Sequence, residues 1–186
     1  ALAVFKLEAT DASRVSDALA RAANASRADV RGLGQALNNV GPIAAQFNLS
    51  IEDTSAVLGV FAQNGIMGAE AGTQLRSMLL NMSEQTPKTK AAWDELNVSM
   101  YDSQGNMRDF NTIIKELDTA LDKLPVEEQN RLMAQLGGSY GIVGLSALRA
   151  AGGIDSMRAS MAEAPAAASI AEQFMDTFKG KIESVM

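Results

Sequence analysis

Apolar residues recur at helical spacing along almost the whole chain. Leu2, Val4, Phe5, Val15 and Leu19, set among many alanines, predict helix over 1–24. Ser26 with Asp29 three positions on reads as an N-cap and weak capping box. The helix it opens covers 27–39, with Val30, Leu33 and Leu37 on one face. The run from Asn38 to Pro42 predicts a stop, with Pro42 at the first position of another short helix. Ser50 and Asp53 repeat the capping pair, and Val57, Leu58 and Phe61 form the stripe behind it, up to a left-handed stop at Asn64-Gly65. Leu75, Met78, Leu79 and Met82 carry a helix over 68–82, and Thr86-Pro87 starts one holding Trp93 and Leu96. Further helices are predicted at 110–123, 125–136, 139–151, 154–162 and 166–185, separated by Leu124-Pro125, Gly137-Gly138, Gly152-Gly153 and Ala164-Pro165. The expected fold class is mainly α, a compact multi-helix bundle of about ten mostly short helices.

The period changes once, in "NVSMYDSQGNMRDF" at 97–110. Val98 and Met100 alternate with Ser99 and Tyr101, as in a strand. Asp102 suits the first position of a type I turn and Gly105 the left-handed position after it. Asp109 suits the N-cap of a helix starting at Phe110. The stretch predicts one small β-hairpin near 98–109, with Asp102, Gly105, Asn106 and Asp109 as its structural motif. The chain then divides into N-terminal helical hairpins (1–96), a β-hairpin insertion (97–110) and C-terminal helices (111–186). A calcium loop fits poorly. Counting from Asp102, Met107 stands where the sharp turn needs glycine, and Ile113 stands where a bidentate glutamate belongs.

Composition narrows the chemistry. The 186 residues contain no cysteine and no histidine. That removes disulfides, Cys/His zinc sites, histidine triads and Cys–His pairs. The formal charge is −6, with both signs spread along the chain and no basic stripe, so dedicated nucleic-acid binding is not expected. No apolar run is long enough to span a bilayer, and residues 1–17 lack the basic region and apolar core of a signal peptide.

Several motifs have plain structural readings. Residues 137–141, GGSYG, match the nucleophile elbow, but that elbow needs a preceding strand and a histidine base. Ser139 is expected to cap the next helix instead. The neighbouring acids Glu52-Asp53, Asp94-Glu95 and Glu127-Glu128 point about 100° apart on a helix and cannot share one site. The small residues of 68–72 and 138–141 predict close helix packing. Met67, Met78, Met82, Met133, Met157, Met161 and Met175 are expected to fill the core. No catalytic, cofactor-binding or metal residue is assigned, and the chain is not expected to be an enzyme.

The segment 97–109 also carries a resemblance. The pattern GVSVxDxxGNxRD between two helices is characteristic of the core region of phage tail tape-measure proteins. Here it runs from Asn97 through Asp102 to Gly105, Asn106, Met107, Arg108 and Asp109. Residues 33–79 resemble the family's pair of helices flanking a V-G-P turn, followed by A-G-T-x-L-R. Residues 133–148 are similar to its loop of small residues and following helix, and 171–185 to its M-x-D-T-x-x-G helix. Asn97 replaces a frequent glycine, and the long extended region that should follow is missing. The resemblance therefore implies a segment from the N-terminal part of a much larger polypeptide.

What the resemblance implies is a structural component of a phage or prophage tail. The whole protein would be made in the bacterial cytoplasm, lie in the lumen of the tail tube, set tail length during assembly and leave when DNA is ejected. Its partners would be other copies of itself, the tail tube protein and tail assembly chaperones, with only transient DNA contact. Two other readings stay open at this level: a peptidoglycan-degrading tail module using glutamates, and a bacterial helical adaptor.

Overall fold

The computed structural model describes residues 5, 7–150, 152–169 and 172. Among the described residues the chain forms nine α-helices: α1 Ala12–Ala25, α2 Val30–Gln46, α3 Ile51–Gln63, α4 Gly68–Ser83, α5 Pro87–Leu96, α6 Phe110–Leu121, α7 Val126–Gly137, α8 Gly141–Ala150 and α9 Gly153–Glu163. Local chemistry starts several of them. Ser50 accepts from the Asp53 amide, Thr86 from Thr89 and Asp109 from Thr112, each satisfying one orphan N–H of a first turn. Pro87 stands at the first position of α5, where its missing N–H costs nothing.

The bundle of about ten helices with a β-hairpin is not what the chain forms. Among the described residues there is no strand, only one isolated antiparallel bridge between Tyr101 and Met107. Two backbone bonds flank the bridge, from the Asp102 amide to the Asn106 carbonyl (2.9 Å) and from the Arg108 amide to the Met100 carbonyl (2.9 Å), and the pairing goes no further. Two residues beyond Met107, Asp109 already caps α6, so a second strand has no room, and a lone strand pair has no third strand to lean on. The helix count falls short partly because Pro42 opens no new helix. It lies inside α2, which runs on to Gln46. Of the helix predicted over 166–185, residues 167–169 and 172 are helical, and the other positions beyond 169 lie outside the described residues. Two further corrections are local. Asp29, not Ser26, caps α2, and Ser26 closes α1. Ser139 sits within a single 3-10 turn, Gly138–Tyr140, without a capping bond.

Packing centres on α3. Ile51, Thr54 to Ala62 and the intervening Gly59 are all buried, so this helix is enclosed on every side. It touches α1, α2, α4, α8 and α9. The most extensive pairing is between α2 and α4. An ideal Cβ at Gly72 would stand 2.2 Å from the Ala36 carbonyl oxygen, and one at Gly32 3.5 Å from the Gly68 Cα. These matched positions make the two helices parallel and bring their backbones together. Asn39 braces them, donating to the Ala69 carbonyl (3.0 Å). The small residues of 68–72 thus mark a close crossing. α5 is fastened under α4 by Trp93, whose Nε1 donates to the Met82 carbonyl at the end of α4 (3.1 Å). Met78, Met82, Met133, Met157 and Met161 fill the core, whereas Met67 is 48% exposed. Met175 lies outside the described residues.

Candidate functional site

The predicted motif residues occupy the link from α5 to α6. Asn97 ends α5 in the left-handed region, φ 50°, doing the work for which glycine is usual. Asp102 organises the turn. Its Oδ1 accepts from the amides of Gln104 (2.8 Å) and Asn106 (2.9 Å), and its Oδ2 from the Asn106 side chain (3.2 Å). The Gly105 amide donates back to the Asp102 carbonyl (3.0 Å), with Gly105 at φ +83°. The amide donated by Asn106, then its side-chain amide, holds the Asp102 carboxyl below its ordinary range. Asp109 lies at the far end of the link, facing α6. These oxygens are occupied by this chain's own N–H groups. Arg108 joins the link to α6 through Glu116 (2.5 and 2.9 Å), whose carboxyl it lowers by hydrogen bonding.

Charged side chains elsewhere join helix to helix. Arg149 of α8 is the most enclosed of them, its side chain 16% exposed. It reaches Asp118 (2.6 Å) on α6, Asp122 (2.5 Å) at the C-cap of α6 and Gln129 (3.0 Å) on α7. Arg131 of α7 bridges Glu128 on its own helix and Glu95 on α5. Lys115 of α6 pairs with Asp155 of α9; this ammonium, and then Asn111, keep that carboxyl low. The sequence pairs of acids are thereby split. Glu95 and Glu128 come together from two different pairs, with a guanidinium between them.

A groove of about 650 Å³ runs between α1, α3 and α9. Its walls include Arg14, Asp17, Arg21, Glu52 and Arg158. Arg14 grips Glu52 bidentately, Nε to Oε1 at 2.6 Å and Nη2 to Oε2 at 2.9 Å. Burial pushes the Glu52 carboxyl up, but hydrogen bonds from Arg14, the backbone and Ser50, with the Arg14 charge, outweigh it and leave it lowered. Arg158 Nη1 lies 3.1 Å from Asp53 Oδ1, close enough for charge attraction. That buried oxygen nevertheless receives no properly directed hydrogen bond, so the contact is a charge contact only. Arg21 reaches across to the end of α9. The groove and the Arg149 junction were not visible in the sequence, because the partners lie 20 to 38 positions apart or more and share no spacing rule.

Such an arrangement defines a class first: an all-helical scaffold whose charges join its own elements. Among the described residues no helix is long and apolar enough to cross a membrane. The chain belongs to the phage-related minor tail protein family, whose sequence profile matches residues 1–138. As a member it is a structural component of a phage tail. It is 37% identical, over 187 aligned residues, to the tape measure protein of Pneumococcus phage Dp-1, covering 99% of this chain and 16% of that protein. It is 34% identical over 119 residues to the probable tape measure protein of Escherichia phage P2, covering 64% of this chain and 15% of that protein. The chain thus spans about a sixth of the length of these relatives. No solved structure gives a significant match.

Proposed function

We propose that this chain is the compact, contact-making part of a tape-measure protein, one that sets tail length during assembly and is released at DNA ejection. The observation that carries the reading is the 37% identity to a tape measure protein across nearly the entire chain. The packing adds a physical limit. A body whose helices enclose α3 on all sides is not an extended ruler, so measuring falls to other parts of the polypeptide. This part acts by contact, with other copies, the tail tube protein or the assembly chaperones, inside the tube lumen. Synthesis is in the host cytoplasm, and DNA is touched only in passing.

Within the segment, 97–110 is the joint between helices 1–96 and 111–186. Asp102, Gly105, Asn106 and Asp109 keep that joint in one conformation. The deciding experiment is an in-frame deletion of this segment from its gene. Loss or gross malformation of tails is expected. Normal tails, shortened only in proportion to the residues removed, would contradict the reading. Catalysis by glutamates has no observation in its favour here.

A further inference from the structure

Asn64-Gly65 is the only asparagine–glycine pair in the sequence. A glycine in second place leaves its backbone nitrogen open to the asparagine carboxamide, because no side chain hinders the approach. The pair closes α3, the helix enclosed by the rest of the body. Both groups that could react are held there. Asn64 Nδ2 donates to the Val60 carbonyl (2.9 Å), which folds the carboxamide back along the helix. The Gly65 amide donates to the Ala62 carbonyl (3.1 Å), and the next amide, of Ile66, to the Phe61 carbonyl (2.9 Å). Gly65 takes φ +84°, the left-handed turn of a helix end, and Ile66 is buried behind it. Gln63, Asn64 and Gly65 are nevertheless exposed, so water reaches the pair. Helix ends of this kind open locally far more readily than the whole chain unfolds.

We propose that Asn64 is a modification site: opening of the last turn of α3 permits its conversion to aspartate and isoaspartate, and conversion in turn loosens that turn. The chemistry needs only water. Once freed from Ala62, the Gly65 nitrogen attacks Asn64 Cγ and a C–N bond forms. The Cγ–Nδ2 bond breaks, and Nδ2 leaves as ammonia, taking up the proton that the Gly65 amide gives up. Water then opens the resulting cyclic imide at either carbonyl. One opening gives aspartate. The other gives isoaspartate, in which the backbone runs through the former side chain. The closed turn blocks the first step, because the attacking nitrogen is engaged with Ala62 and the carboxamide is tied to Val60. Either product suits the turn less well. A carboxylate has no N–H to give Val60, and it places a negative charge at the negative end of a helix. Isoaspartate also lengthens the backbone by the side-chain methylene, so Gly65 and Ile66 lose their register with the Ala62 and Phe61 carbonyls. The change runs one way, and a converted chain opens more easily than an unconverted one. The chain thus carries a chemical record of how long the end of its central helix has spent open.

The first test uses the unaltered chain. It is incubated in mildly alkaline buffer, both folded and in urea that unfolds it. The peptide holding Asn64 is followed by mass and by chromatography, which separate both products. Unfolded, Asn64 should be the first asparagine to convert. Folded, its conversion should be at least ~10-fold slower, as for a site reached only through local opening. In urea below the unfolding transition, the rate should rise in parallel with hydrogen exchange of the Gly65 amide. Equal rates folded and unfolded overturn the proposal, and so does a folded rate indifferent to that exchange. The loosening is read from Asn64→Asp. Exchange at the Gly65 and Ile66 amides should be at least ~3-fold faster than in the unaltered chain, as for a lost helix-end contact. Unchanged exchange there overturns the loosening. Should Asn64→Asp not fold, chain converted by incubation is purified and measured in its place, with the same two outcomes.

Discussion

At the scale of single residues, the sharpest constraint is the crossing of α2 over α4. Gly72 is there for lack of space: any Cβ would meet the Ala36 carbonyl and α-carbon at 2.2 and 2.7 Å. Gly34, on the same helix as Ala36, has nothing within 4 Å of where its Cβ would be. Opposite outcomes are expected for the same change. Gly72→Ala should destabilise by about 1–3 kcal/mol or more, because two backbones must move apart. Gly34→Ala should stabilise by about 0.4–1 kcal/mol, through the unfolded chain and helix propensity. Paired denaturant titrations decide the matter, and equal effects at the two sites would contradict the close crossing. The small residues of 68–72 mark Gly72 for close packing in the sequence; what it packs against, the Ala36 backbone two residues from the unconstrained Gly34, is set by the approach of α2 to α4.

At the scale of elements, side chains at helix ends and between helices carry the argument. Ser50, Thr86 and Asp109 were legible as caps because the signal is local, a short polar acceptor three positions ahead of an N–H. Asp109→Ala should therefore cost about 1 kcal/mol and fray the first turn of α6, visible as faster amide exchange at Thr112. Pro42 departs from the local rule for the complementary reason. A proline ends a helix only if the cost of its missing hydrogen bond exceeds what the following turn gains by packing. Val40, Gly41 and Ala44 are all buried there, so the helix continues through it. No hairpin follows from the alternation at 98–109, because alternation records which side chains are buried, not whether the backbone finds a ladder. Val98 and Met100 are indeed buried, yet a single bridge forms. Arg149, unannounced in the sequence, joins α8 to α6 and α7. Arg149→Met should cost about 1.5–3 kcal/mol, since three polar groups lose their shared donor. A neutral result in thermal melts would show that water replaces it.

For the whole molecule, acid and salt are the informative variables. Glu52, Asp102, Glu116 and Asp155 all have folded values below their ordinary ones. Groups depressed by folding add stability that is complete above their unfolded values, near ~4, and that disappears as pH falls through the folded values. The melting temperature should hold steady from neutrality to about pH 5 and decline below about pH 4. A melting temperature that rose on acidification would contradict these assignments. High salt should lower stability at neutral pH, because most of these pairs are half exposed and easily screened.

The sequence by itself determined that the chain is helical, where most helices begin, which side chains are apolar enough to be enclosed, and to which family it belongs. It could do so because caps, helical periodicity and motif order are local properties of neighbouring residues. Tertiary structure alone decided that α3 lies at the centre, that Pro42 sits inside a helix, and that 98–109 stops at one bridge. Each of these depends on residues brought together from distant parts of the chain, where the energy of packing outweighs local preference.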